Sequence, residues 1–161
     1  MKVKIFEDYF TELQADMVSI CMEFSYGLAD DIYIYCSAEN KTVVGIVFFA
    51  VDDKVAELHE LNELLFESGR QKTREVPSHE RMEALSRIIT NNLVKIFFKC
   101  KELKKEMPTE MKIYYNVATN SLKAEYQYEL IHSNTNNVTF EDVFNQWYEE
   151  EKIKRQKTTN S

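Results

Sequence analysis

The chain has 161 residues, enough for one domain with a sizeable core, and 10 Phe, 9 Tyr and a single Trp supply large side chains to fill it. With 3 Gly and 2 Pro it is neither low-complexity nor rich in linkers. Its 27 acidic and 20 basic residues give a net charge of -7, which repels a phosphate backbone, so direct nucleic-acid binding is disfavoured and a basic protein surface is the better match.

The opening segment MKVKIFEDYF runs into Glu7, Asp8, Glu12 and Asp16, so no uninterrupted apolar stretch of the secretory kind is expected. A helix is predicted from about Phe6 to Phe24, because Phe6, Phe10, Leu13, Met17, Ile20, Cys21 and Phe24 recur three and four residues apart. Gly27 is placed to cap it. Ile32 to Cys36 reads as a strand, Ala38 to Lys41 as a turn, and Val43 to Val51 as a central strand apolar on both faces. Asp52-Asp53-Lys54 signals a turn before a third strand over Val55 to Leu58. Gly45, inside the second strand, marks a bulge or a close approach.

Leu61 to Phe66 suits a short helix, and Glu67 to Glu75 a polar loop. Pro77 opens a long helix from about Ser78 to Lys105, striped by Met82, Leu85, Ile89, Leu93, Ile96, Cys100 and Leu103. Lys99, Lys101, Lys104 and Lys105 suit the negative end of its dipole. A hairpin follows. Met111, Ile113, Tyr115 and Val117 face inward in its first strand, as do Leu122, Ala124, Tyr126, Tyr128 and Leu130 in its second, leaving Tyr114 on a face turned to water. After a loop over Ser133 to Asn137, Thr139 and Asp142 form a capping-box-like start for a last helix carrying Phe140, Val143, Phe144 and Trp147 inward. The expected architecture is therefore α+β, in the order α-β-β-β-(α)-α-β-β-α. A meander and a hairpin share one antiparallel sheet of about five strands, with a single domain over 1–151 and a disordered polar tail over 152–161.

No residue pattern announces catalysis or a metal. His59, His79 and His132 lie in separate elements without ligand spacing, and read as polar surface residues. Gly27, Gly45 and Gly69 are too far apart for a phosphate loop. Cys21, Cys36 and Cys100, odd in number and each in an apolar pattern, read as reduced core thiols of a cytoplasmic protein. No window approaches the roughly 18 apolar residues of a membrane span. The acidic pairs Asp30-Asp31 and Asp52-Asp53 and the run Glu149-Glu150-Glu151 read first as solvated surface, and second as a docking surface for a basic partner.

Two stretches resemble YezG-like proteins, a family of small bacterial immunity proteins, or antitoxins, paired with secreted nuclease-type toxins. One is the hairpin Pro108-Thr109-Glu110-Met111-Lys112-Ile113-Tyr114-Tyr115-Asn116-Val117 with Asn120-Ser121-Leu122-Lys123-Ala124-Glu125-Tyr126. The other is the acidic-aromatic helix Asp142-Val143-Phe144-Asn145-Gln146-Trp147-Tyr148-Glu149-Glu150. The resemblance covers the C-terminal third by motif and the rest by element order. It implies a non-enzymatic, cofactor-free cytoplasmic protein that inhibits a cognate basic, nuclease-like toxin by occluding its phosphate groove. The residues expected to carry that contact are Tyr148, Glu149, Glu150 and Glu151, then Asp52, Asp53 and Glu57. A homo-oligomeric interaction module, such as a homodimer, and a small enzyme built from scattered Asp, Glu, His and Tyr are the competing classes.

Overall fold

In the computed structural model, which describes residues 6–134 and 137–159, the apolar periodicities become the elements expected of them. The readings placed on residues 1–5, on the middle of the 133–137 loop and on the last two tail residues lie outside the described residues. Helix α1 (Phe6–Phe24) ends where Gly27, at φ 68°, sends its N–H back to the Met22 carbonyl at 2.9 Å. That left-handed conformation is open to glycine at little steric cost.

Strands β1 (Asp31–Glu39), β2 (Thr42–Val51) and β3 (Lys54–Glu57) form the meander. Both of its turns are two-residue loops with positive φ at each position, Asn40 and Lys41 in the first and Asp52 and Asp53 in the second. This is the turn geometry that matches the strand twist, and Asn and Asp tolerate it. Helix α2 (Leu61–Glu67) and the long α3 (His79–Glu102) follow, the latter capped by the Ser78 hydroxyl accepting the Arg81 N–H at 3.1 Å. The hairpin is β4 (Glu110–Asn116) and β5 (Ser121–Gln127), and α4 spans Phe140–Thr159. Its capping box is reciprocal, with Thr139 N–H on the Asp142 carboxylate at 2.9 Å and Asp142 N–H on the Thr139 hydroxyl at 3.2 Å.

The five strands make one antiparallel sheet in the order β3-β2-β1-β4-β5. The apolar Val43–Val51 run lies in β2, an interior strand between β3 and β1 covered on both faces as expected, and β1 is the middle strand of the five because the hairpin returns to pair along its free edge. Helices α1, α2 and α3 cover one face through a largely aliphatic core that includes Met17, Val47, Leu65, Ile89 and Leu93. There α3 crosses β2 at Gly45. An added Cβ would lie 2.2 Å from Ile89 Cγ2, and the ladder runs unbroken through Gly45 opposite Cys36, so close packing is the role and no bulge is present.

Three expectations change. The sheet face predicted to meet water is partly roofed by α4, so Tyr114 is half-buried there. On β5 the inward set is incomplete: Tyr126 packs against the core, but Leu122, Tyr128 and Leu130 are exposed, because β5 is an edge strand and ends at Gln127. The chain also stays helical to Thr159 instead of fraying after Lys152, since Arg155 is drawn back onto the sheet. Among the described residues, no helix is long and apolar enough to cross a membrane. Cys21, Cys36 and Cys100 are free and buried, and burial pushes the Cys36 thiol up to about 12.

Candidate functional site

The face beneath α4 is built from aromatic rings. Phe48 stacks on Tyr33 with centroids 4.3 Å apart, and it meets Tyr148, Trp147 and Phe144 edge-on at 5.2, 5.3 and 5.7 Å. Such edge contacts set the rings' quadrupoles favourably and fix the helix in rotation as well as position. The helix's last turns are held by charge. Arg155 donates to Asp31 at 2.8 Å and to the Tyr33 hydroxyl at 2.6 Å, while Asp31 also accepts from Tyr114 at 2.5 Å.

Beside this ion pair, α4 stops short of the hairpin and leaves a cleft of about 460 Å³. Its floor is Tyr33, Lys112, Tyr114 and Glu125, and its wall is Trp147, Glu151 and Arg155. Burial pushes the Tyr33 and Tyr114 phenols upward, and the nearby Asp31 carboxylate raises both further. Both hydroxyls therefore keep their protons at neutral pH and spend them on carboxylates, Glu151 for Tyr33 and Asp31 for Tyr114. A phenol so committed is a poor general base.

The seven residues expected to meet a partner divide into two groups. Asp52 lies 2.6 Å from the Arg70 guanidinium, which also holds Asp30 at 2.8 Å and the Leu28 carbonyl at 2.8 Å. Arg70 thus pins the 67–75 loop, and holds the Asp30 carboxyl below its ordinary value against the opposing effect of burial. Asp53 lies 4.0 Å from Arg155. Glu151 was expected to point outward with its two neighbours. It instead turns under the helix, where it accepts from Tyr33 at 3.3 Å and meets Lys154 at 3.3 Å. One helical turn of 3.6 residues cannot send three consecutive side chains the same way.

The other group centres on Tyr148. The Tyr148 ring packs on Phe48 and its hydroxyl donates to the Val55 carbonyl of β3 at 3.3 Å, so α4 is tied to that sheet edge. Burial and then the charges of Glu60, Glu57 and Glu149 push the phenol up to about 12. Charges from β3, the loop before α2, and α4 therefore act on one tyrosine, while Glu150 is exposed and accepts from Gln146 at 3.2 Å. Glu60 was missed by sequence reasoning, because its proximity to Tyr148 spans more than eighty positions and leaves no local signal.

His59 also sits in this group. It was read as one of three separate histidines, yet its ring and the Glu57 and Glu60 carboxylates place one ligand atom each within 4.8 Å of one another. Burial raises the Glu57 carboxyl, with His59 opposing and Glu60 adding to the effect. The trio is largely exposed, and Glu60 already accepts the Glu57 N–H at 3.2 Å. Compared with known proteins, the chain matches no family model and no curated protein sequence.

Proposed function

We propose that the chain is an immunity-type binding protein of the cytoplasm, which inhibits a basic, nuclease-like toxin by laying its β3–α4 edge over the toxin's phosphate groove. The observation that carries this reading is the Tyr148 hydroxyl set on the Val55 carbonyl of β3 at 3.3 Å, with Glu57 and Glu60 drawn together at the end of that strand and their charges and that of Glu149 acting on the phenol. A phosphate groove is lined with cations, so carboxylates along this edge steer encounter. A rigid aromatic among them supplies the kind of contact that slows dissociation. The overall charge of -7 extends the attraction beyond the contact itself. Catalysis by the chain itself is the weaker reading, since the cleft tyrosines keep their protons.

The test begins with tagged protein captured from its native cell and washed through a salt series. The recovered partner is purified, its nuclease activity assayed, and wild-type chain compared with the Glu57→Lys/Glu60→Lys/Glu149→Lys variant. Inhibition by wild type and its loss in the variant is the expected result. Equal inhibition by both removes this edge from the mechanism, and a partner without nuclease activity removes the toxin.

A further inference from the structure

The sheet has two edges, and they are treated differently. At the β3 edge only four residues pair, and Tyr148 covers the Val55 carbonyl. At the other edge β5 offers seven residues, Ser121 to Gln127, in an unbroken register with β4. No described strand pairs with its outer side. It carries no Pro and no bulge, the devices that ordinarily blunt such an edge, and Leu122 is 39% exposed on it.

We propose that β5 pairs with β5 of a second copy of this chain, antiparallel about a twofold axis through Ala124, to continue the sheet across a homodimer. The sequence Ser121-Leu122-Lys123-Ala124-Glu125-Tyr126-Gln127 is complementary to itself in that register. Lys123 meets the second copy's Glu125, and Glu125 meets its Lys123, on the face that carries the α4 cleft. Leu122 meets the second copy's Tyr126, and Tyr126 its Leu122, on the face covered by α1 and α3. Each contact occurs twice, as an isologous interface requires. Opposite charges and an aromatic-aliphatic pair directly across from each other are the favourable cross-strand combinations.

The same residues specify the register. A slip of two residues one way sets Lys123 against Lys123, and a slip the other way sets Glu125 against Glu125. Like charges directly opposite are destabilising. A slip of one residue sends every side chain to the wrong face. The charges that would guard a free edge against arbitrary strands thus admit this partner. Because β5 lies at the opposite edge of the sheet from Tyr148, the dimer leaves both β3–α4 edges open. It stands or falls separately from the immunity reading.

The experiment is sedimentation equilibrium of the full chain over a concentration series. Wild type is expected to approach twice the chain mass of 19.0 kDa. The Lys123→Glu and Glu125→Lys variants each turn two attractive pairs into repulsive ones, and each should raise the dimer dissociation constant roughly tenfold. The double variant Lys123→Glu/Glu125→Lys restores opposite charges across the axis and should return near the wild-type value. Far-UV circular dichroism matching wild type establishes that each variant is folded; both changed positions are exposed. A monomer at every concentration up to the solubility limit overturns the proposal. So does a dimer indifferent to the single reversals, or one that the double variant fails to restore.

Discussion

The two faces of the sheet are closed by different means. Under α1, α2 and α3 the contact is largely aliphatic and backbone-close, with Ile89 and Leu93 set down on Gly45. Under α4 it is aromatic, smaller, and finished at the helix end by an ion pair between Arg155 and Asp31 whose side chains are 16% and 8% exposed. Aliphatic packing is non-directional and tolerates modest movement. Stacked rings and a fixed guanidinium demand one orientation, and an ion pair removed from water returns little net stability for its desolvation. The first face secures the domain, and the second sets where α4 lies. That placement is what sets Tyr148 on the Val55 carbonyl, where the charges of Glu57, Glu60 and Glu149 act on its phenol.

The largest effect should come from breaking the ion pair on one side. Asp31→Ala leaves Arg155, Tyr114 and Asn116 without their shared acceptor. Removing one member of such a buried pair costs about 3 kcal/mol, even with the Tyr33 hydroxyl still accepting from Arg155. The neutral double variant Asp31→Asn/Arg155→Met should recover most of that loss, since replacing both members of a buried pair is often close to neutral. Trp147, the single tryptophan, sits on the α4 face and reports it alone, whereas far-UV circular dichroism reports the whole chain. In urea the two signals should coincide for wild type. In Asp31→Ala the fluorescence transition should come first, because α4 would open as a separate unit. Coincident transitions in the variant would mean that the faces unfold together and that the distinction between them is only chemical.

The next effect belongs to the aliphatic face. Gly45→Ala adds a methyl group 2.2 Å from Ile89 Cγ2, so strand and helix must separate or Ile89 must leave its rotamer. Overpacking of this kind costs about 2 kcal/mol. Here both probes should shift together, since α3 and β2 belong to the core that holds the sheet. Ile89→Leu beside it, which takes away the Cγ2 branch at nearly constant volume, should return part of the loss. If the pair of changes is no better than Gly45→Ala alone, the close approach at this crossing is not the cause.

Why the first face was readable from sequence and the second was not follows from where each keeps its information. The stripe Met82, Leu85, Ile89, Leu93, Ile96 and Cys100 repeats within one helix, so a window of residues holds the whole signal. The α1 boundaries, both turns and the Thr139–Asp142 capping box were legible for the same reason. That β1 is the middle strand of the five was not, since it depends on β4 docking beside it. The end of α4 was hidden too: Arg155 looks like part of a basic tail until Asp31, 124 positions away, comes beside it. Of the expected contact residues, Tyr148, Glu149 and Glu57 could be singled out one by one, but not the placement of Glu57 and Glu149 near the same phenol. Asp52 and Glu151 were counted by charge without the Arg70 and Tyr33 contacts that occupy them.

The smallest effect lies at the sheet end, outside both faces. Glu39 is 4% exposed and accepts the N–H groups of Ile131, His132 and Ser133 and the Ser133 hydroxyl, the last at 2.6 Å. It anchors the connection that carries the chain from the hairpin toward α4. Burial pushes its carboxyl upward, but these hydrogen bonds and His132 outweigh that and hold it below the ordinary value of 4.5. A carboxyl depressed in the folded state contributes stability that is full above its unfolded value and is lost as pH falls through its folded one. Glu39→Gln should therefore lose about 1.5 kcal/mol at neutral pH, the net value of hydrogen bonds to a charged group. Below the folded value of Glu39 its stability should approach that of wild type. Urea titrations of both chains between neutral and acid pH would show the two curves drawing together as pH falls. If they stay parallel, the Glu39 charge adds nothing to the anchor, and α4 is placed by its aromatic rings and Arg155 alone.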